Sequence, residues 1–150
     1  MTQSSNPAEV RQYAFVMGVF GVLFAISGAI FFLFPGFVFR LVNLGAVQYG
    51  LFDPMPDSTE DFWLVLSTSM MLMLTLLCFA AAKSPEVKAF AYIVMASKIC
   101  SSGLYLLLFL FSARYCAYLA GFITDFPLFV LVGILSRRAF AALARMDEPL

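Results

Sequence analysis

The chain has 150 residues, of which 63% are hydrophobic and 12% charged, with nine Lys and Arg balanced by nine Asp and Glu and not one His. This composition excludes an ordinary soluble domain, and the zero net charge leaves no nucleic-acid footprint. Without His, the chain by itself cannot supply His-ligated haem, His-ligated chlorophyll, His-containing zinc sites or a Ser-His-Asp triad.

Four apolar runs approach the roughly 20 residues needed to cross a hydrocarbon core of about 30 Å. They cover residues 12–34, 62–82, 86–111 and 116–135, and all four are predicted as helices. The expected fold is therefore all-α: a single domain, residues 1–150, forming an integral membrane four-helix bundle. The first segment follows the polar lead MTQSSNPAEVRQ and is too long for a signal-peptide core, so it is expected to stay as a membrane anchor. Its end is marked by Phe34-Pro35-Gly36, after which GFVFRLVNLG fits a short interfacial piece.

Residues 35–61 form the longest connection. LFDPMPDSTEDF carries four acids and two prolines and reads as an ordered polar loop. Asp57 precedes Glu60 by three residues, as Ser58 precedes Asp61, which predicts a capped helix start just before Trp63. Trp63 suits the interfacial aromatic belt. In the next connection, KSPEVK, Ser84 is placed to cap the third segment and Pro85 to occupy its first turn. The connection SARY is shorter still, so segments two, three and four are expected to be consecutive antiparallel neighbours.

Basic residues near the segment ends divide unequally. Arg11, Lys83, Lys88, Arg137, Arg138 and Arg145 fall on one side, and Arg40 and Arg114 on the other. By the positive-inside rule both termini are cytoplasmic, and the acidic loop faces outward from a bacterial-type inner membrane.

Lys98 interrupts the third segment, where a charge is costly and demands a partner, a wet cavity or a purpose. It lies about ten residues from the cytoplasmic end of its segment, and Asp125 about ten residues from the outer end of the fourth, so both are roughly 15 Å deep. Antiparallel neighbours can bring them together as an ion pair. Lys98, Ser101, Ser102 and Tyr105 share one helical face, as do Tyr118, Gly121 and Asp125. Tyr105 and the Ile123 carbonyl, freed by Pro127, are further candidate partners of Lys98. Two readings stand side by side: a structural clasp, and a ligand-binding or proton site built from Lys98, Asp125, Ser101, Ser102, Tyr105 and Tyr118.

The remaining polar and small residues have plainer readings. Thr68, Met71, Thr75 and Cys78 make a weak stripe on the second segment, and membrane Ser and Thr commonly bond their own backbone. Ala14, Gly18, Gly21, Ala25 and Gly28 form a small-residue face on the first that permits close packing. Cys78, Cys100 and Cys116 form no Cys-x-x-Cys pair and read as small apolar fillers, with Cys116 near a helix end. No catalytic residue and no metal ligand set is singled out.

FWLVLSTSMM at the start of the second segment, the small-residue exit AAKSPEVK, Lys98 in the third, and Asp125 ahead of the Arg137-Arg138 pair in the fourth resemble the DoxX-like family of small four-helix membrane proteins. That resemblance implies an accessory role beside sulfur-compound oxidation and quinone reduction, and it carries no catalytic residue over to this chain. Three functional classes follow. The first is a non-catalytic accessory or small-lipophile-binding subunit of a larger membrane complex. The second is a quinone-linked oxidoreductase subunit in which Lys98 and Asp125 hold a quinone oxygen. The third is a small oligomeric transporter or channel. The first best fits the lack of catalytic groups; its expected partners are the lipid bilayer and other membrane subunits or further copies of the chain, and its candidate ligand is a quinone or another lipophile.

Overall fold

The computed structural model describes residues 7–50, 52–56 and 62–147. They form five helices: α1 (Ala8–Leu33), α2 (Pro35–Tyr49), α3 (Phe62–Lys83), α4 (Lys88–Phe111) and α5 (Cys116–Asp147). Among the described residues no strand forms, and one isolated parallel bridge joins Asp53 to Tyr115. Helices α1, α3, α4 and α5 are long and apolar enough to cross a membrane. The 15 residues of α2 reach only about 22 Å. The chain is an all-α, multi-pass membrane protein.

Small side chains decide how the helices pair. α1 packs chiefly on α3 and α4 chiefly on α5, while smaller α1–α5 and α3–α4 contacts close the ring. A Cβ added to Gly21 would lie 2.8 Å from the Phe79 ring, and one at Gly28 would lie 3.0 Å from Met71 Cβ. As the α1 position advances by seven, its α3 partner retreats by eight, so the two helices are antiparallel and nearly touching. Gly18 and Ala25 take no part in this seam: nothing lies within 4 Å of a Cβ at Gly18, and Ala25 is exposed. The packed face of α1 is instead Val10, Tyr13, Met17, Phe20, Gly21, Phe24 and Gly28. Large apolar side chains such as Phe15, Leu23, Leu72 and Leu104 point outward, as lipid-facing residues must.

Four boundaries differ from the sequence reading, the first being the start of α1 at Ala8, inside the expected polar lead. The segment expected as connection between residues 35 and 61 contains α2, a helix opened by Pro35 in its first turn and closed by Gly50 in the left-handed conformation (φ 60°). Proline loses no hydrogen bond at a helix start, and glycine takes positive φ without steric cost. The third predicted segment starts at Lys88 with Val87 as its uncapped boundary. Ser84 and Pro85 belong to a turn closed by the Val87 N–H on the Ser84 carbonyl at 3.1 Å. Proline disfavours the helical conformation of the residue before it, so Ser84 ends one helix neighbourhood and does not cap the next. The fourth runs past residue 135 to Asp147, because Ser136, Ala139, Phe140 and Ala142 stay buried. Phe140 meets Tyr13 and Tyr92 edge-on, with centroids 6.0 and 6.2 Å apart. The helix continues past the Arg137-Arg138 pair expected to follow its end. The expected cap residues Asp57, Ser58, Glu60 and Asp61 lie outside the described residues.

The near end of the bundle, below, is the end where α1 begins and α5 finishes. The far end carries α2 and the α4–α5 connection.

Candidate functional site

The third and fourth crossing helices are stitched at mid-height. Lys98 Nζ donates to Asp125 Oδ1 at 2.9 Å, with the two side chains only 5% and 14% exposed. The Ser101 hydroxyl donates to Asp125 Oδ2 and also lies 3.2 Å from the Lys98 carbonyl. On the other side of the cation, the Phe24 ring of α1 stands 4.8 Å from Nζ, a cation–π distance. The ammonium thus has a carboxylate on one flank and a π face on the other. Such a pair lowers the cost of both charges in low dielectric without guaranteeing net stabilisation.

Tyr105 does not complete the Lys98 bonds, and among the described residues no side chain bonds the Ile123 carbonyl, although α5 passes unbroken through Pro127. Ser102 is buried one turn from Lys98. Tyr105 instead lies flat on α5: a Cβ at Gly121 would fall 2.6 Å from its ring. Tyr105, Tyr118 and Tyr115 form a short aromatic ladder, with successive centroids 6.4 and 5.4 Å apart.

That ladder borders a cavity of about 420 Å³ at the far end. All five helices contribute to its wall: Phe31 from α1, Val38 and Phe39 from α2, Trp63 and Ser67 from α3, Tyr105 from α4 and Tyr118 from α5. Trp63 meets Phe39 and Phe31 edge-on at 5.1 and 6.4 Å. Lys98, Asp125, Ser101 and Ser102 do not line it. The six site residues expected from the sequence therefore separate into a mid-helix cluster of four and a cavity wall of two.

Asn43 on α2 acts on the cavity indirectly, through Met55. Its Nδ2 donates to the Met55 carbonyl and its Oδ1 accepts from the Met55 N–H, both at 2.8 Å. This two-bond clamp ties the segment 52–56, including the cavity-lining Met55, to α2. The available signal for it was an amide set between the apolar Val42 and Leu44. Phe24 had none, being one of 18 phenylalanines.

Of the two hydroxyls in the polar stripe of α3, that of Thr75 is satisfied by its own helix and that of Thr68 is not, while the neighbouring Ser67 is also bonded. Thr75 Oγ1 donates to the Met71 carbonyl at 2.8 Å and Ser67 Oγ to that of Leu64 at 3.1 Å. Thr68 Oγ1 is buried and has no partner among the described residues. Cys78 is buried, Cys116 is partly covered and faces Gly45 of α2, and Cys100 is exposed on the lipid-facing side, where it fills nothing. Among the described residues no three of His, Cys, Asp and Glu converge as a metal site. Comparison with known proteins yields no match to a family model, a curated protein or a solved structure.

Proposed function

We propose that this chain is a non-catalytic, lipophile-binding membrane protein that serves as an accessory or carrier subunit, with the far-end cavity as its binding site. The observation that carries this reading is the convergence of all five helices on one aromatic cavity of about 420 Å³, a volume within the usual range for small-molecule sites. The Ser67 hydroxyl and the Met55 amide are already bonded. Trp63, Tyr105 and Tyr118 are then the side chains of the wall with polar groups left to meet a ligand, which fits a largely apolar molecule bearing one or two polar groups. Lys98 and Asp125 act as a clasp in this reading: they hold α4 and α5, and hence the two tyrosines, in register.

With the basic near end in the cytoplasm, the cavity lies in the outer half of the inner membrane. The test is extraction and mass spectrometry of lipophiles from protein purified in mild detergent, beside a Ser67→Phe variant that fills the cavity. A lipophile present at near-stoichiometric level in the wild type and depleted in Ser67→Phe supports the proposal. The same bulk-lipid profile in both proteins sinks it.

A further inference from the structure

The near end carries a charged feature that the cavity does not explain. A groove of about 480 Å³ between the start of α1 and the end of α5 is lined by Glu9, Arg138, Ala141 and Arg145. Arg138 and Arg145 are two turns apart, so they share one face of α5, and the small Ala141 between them leaves the groove open. Glu9 Oε1 stands 3.9 Å from Arg145 Nη2, with side chains 43% and 69% exposed. That distance is too long for a hydrogen bond, and an exposed pair of this kind is held weakly. Among the described residues no side chain caps the start of α1, and its positive dipole end also faces this region.

Depth determines what such a groove meets. If the Lys98–Asp125 plane marks the bilayer centre, Arg138 lies about 20 Å from it along α5, and Glu9 about 22 Å from it along α1, counted from Phe24 at the ion pair. Half of a bilayer including headgroups is about 20–22 Å, so both residues sit at phosphate level. Arg145 starts deeper in water, but its guanidinium reaches back to within 3.9 Å of the Glu9 carboxylate and so returns to that level. One and two turns toward the membrane from Arg138, Ile134 and Leu131 are exposed on the same face, an apolar track for an acyl chain. Around this end Arg11, Lys83, Lys88 and Arg137 add positive charge, against Glu9 and Glu86 among the described side chains.

We propose that this groove binds the phosphate of an anionic phospholipid in the near-end leaflet, clamped by Arg138 and Arg145, with its acyl chain along Leu131 and Ile134. Glu9 is the internal competitor that the phosphate displaces from Arg145. The inference is independent of the ligand in the far-end cavity and of which compartment the near end faces.

The test titrates detergent-purified protein with phosphatidylglycerol, phosphatidylcholine or inorganic phosphate, and reads thermal protection together with lipid adducts in native mass spectrometry. Phosphatidylglycerol should protect saturably and stay bound, whereas phosphatidylcholine and inorganic phosphate should not. The double variant Arg138→Gln/Arg145→Gln should weaken phosphatidylglycerol binding about tenfold or more, since it removes two charge-assisted contacts. The far-end control Arg40→Gln/Arg114→Gln should bind as the wild type does. Glu9→Gln should bind at least about twofold more tightly, an opposite sign that loss of folding cannot imitate. Equal protection by phosphatidylcholine, equal protection by inorganic phosphate, or undiminished phosphatidylglycerol binding by the double variant would each overturn the assignment.

Discussion

Lys98 and Asp125, 27 positions apart in sequence, meet at 2.9 Å across the α4–α5 seam, and the Phe24 ring of α1 closes the far side of the ammonium. Three crossing helices therefore share one charge at mid-height. Removing either partner strands the other in low dielectric. Lys98→Met and Asp125→Asn should each destabilise the protein by something on the order of 3–5 kcal/mol in a dry site, and the double substitution should recover much of that loss. Unfolding measurements in a double-mutant cycle check this; fully additive losses would show that the two charges are not coupled.

Ser101 is the second donor to Asp125, and its loss leaves one carboxylate oxygen without that bond. Ser101→Ala should cost about 1.5–3 kcal/mol, the range for a hydrogen bond to a charged group. In an Asp125→Asn background the same change should cost clearly less. Equal costs in both backgrounds would mean that the hydroxyl serves Lys98's carbonyl and not the carboxylate.

Gly121 lets the Tyr105 ring rest on the α5 backbone, since a Cβ there would stand 2.6 Å from the ring. Gly121→Ala must push the ring away, with an overpacking cost of about 1–3 kcal/mol. The displaced ring changes the wall of the far-end cavity, so the lipophile content of purified protein should fall. Gly18→Ala is the control: nothing lies within 4 Å of that added carbon, and the change should be neutral to stabilising, by up to about 1 kcal/mol.

Asn43 holds Met55 through two backbone bonds. Asn43→Leu abolishes both and leaves the 52–56 segment without its tie to α2. The expected loss is about 1–3 kcal/mol, with faster protease cleavage or amide exchange near Met55. Unchanged exchange there would show that the Asp53–Tyr115 bridge suffices to hold the segment.

The unequal distribution of basic residues predicts which end faces the cytoplasm. With the native cysteines replaced, a cysteine at Ser84 should resist a membrane-impermeant thiol reagent applied from outside, and one at Asp53 should react. Labelling of the Ser84 site from outside would invert the orientation.

Hydropathy alone determined the crossing helices, because a span of about 30 Å requires a run of apolar residues that no other feature of this sequence imitates. The Lys98–Asp125 encounter was legible for a related reason: short connections fix antiparallel neighbours, and equal depth from opposite ends then needs only arithmetic on a 1.5 Å rise. Packing against distant residues left no comparable trace. Helix α2 carries local end signals in Pro35 and Gly50, but its sorting of inward Val38 and Ala46 from outward Phe37 and Leu41 shows only in the packed bundle, where α2 meets α1 and α5. The end of α5 is decided by Tyr13 and Tyr92 against Phe140, contacts between helix starts and a helix end that no local pattern records. The site divided for the same reason. Ser101 and Tyr105 lie one turn apart on α4, but Ser101 reaches Asp125 while Tyr105 is turned onto Gly121 and into the cavity wall, a choice made by the bare backbone of α5 opposite it.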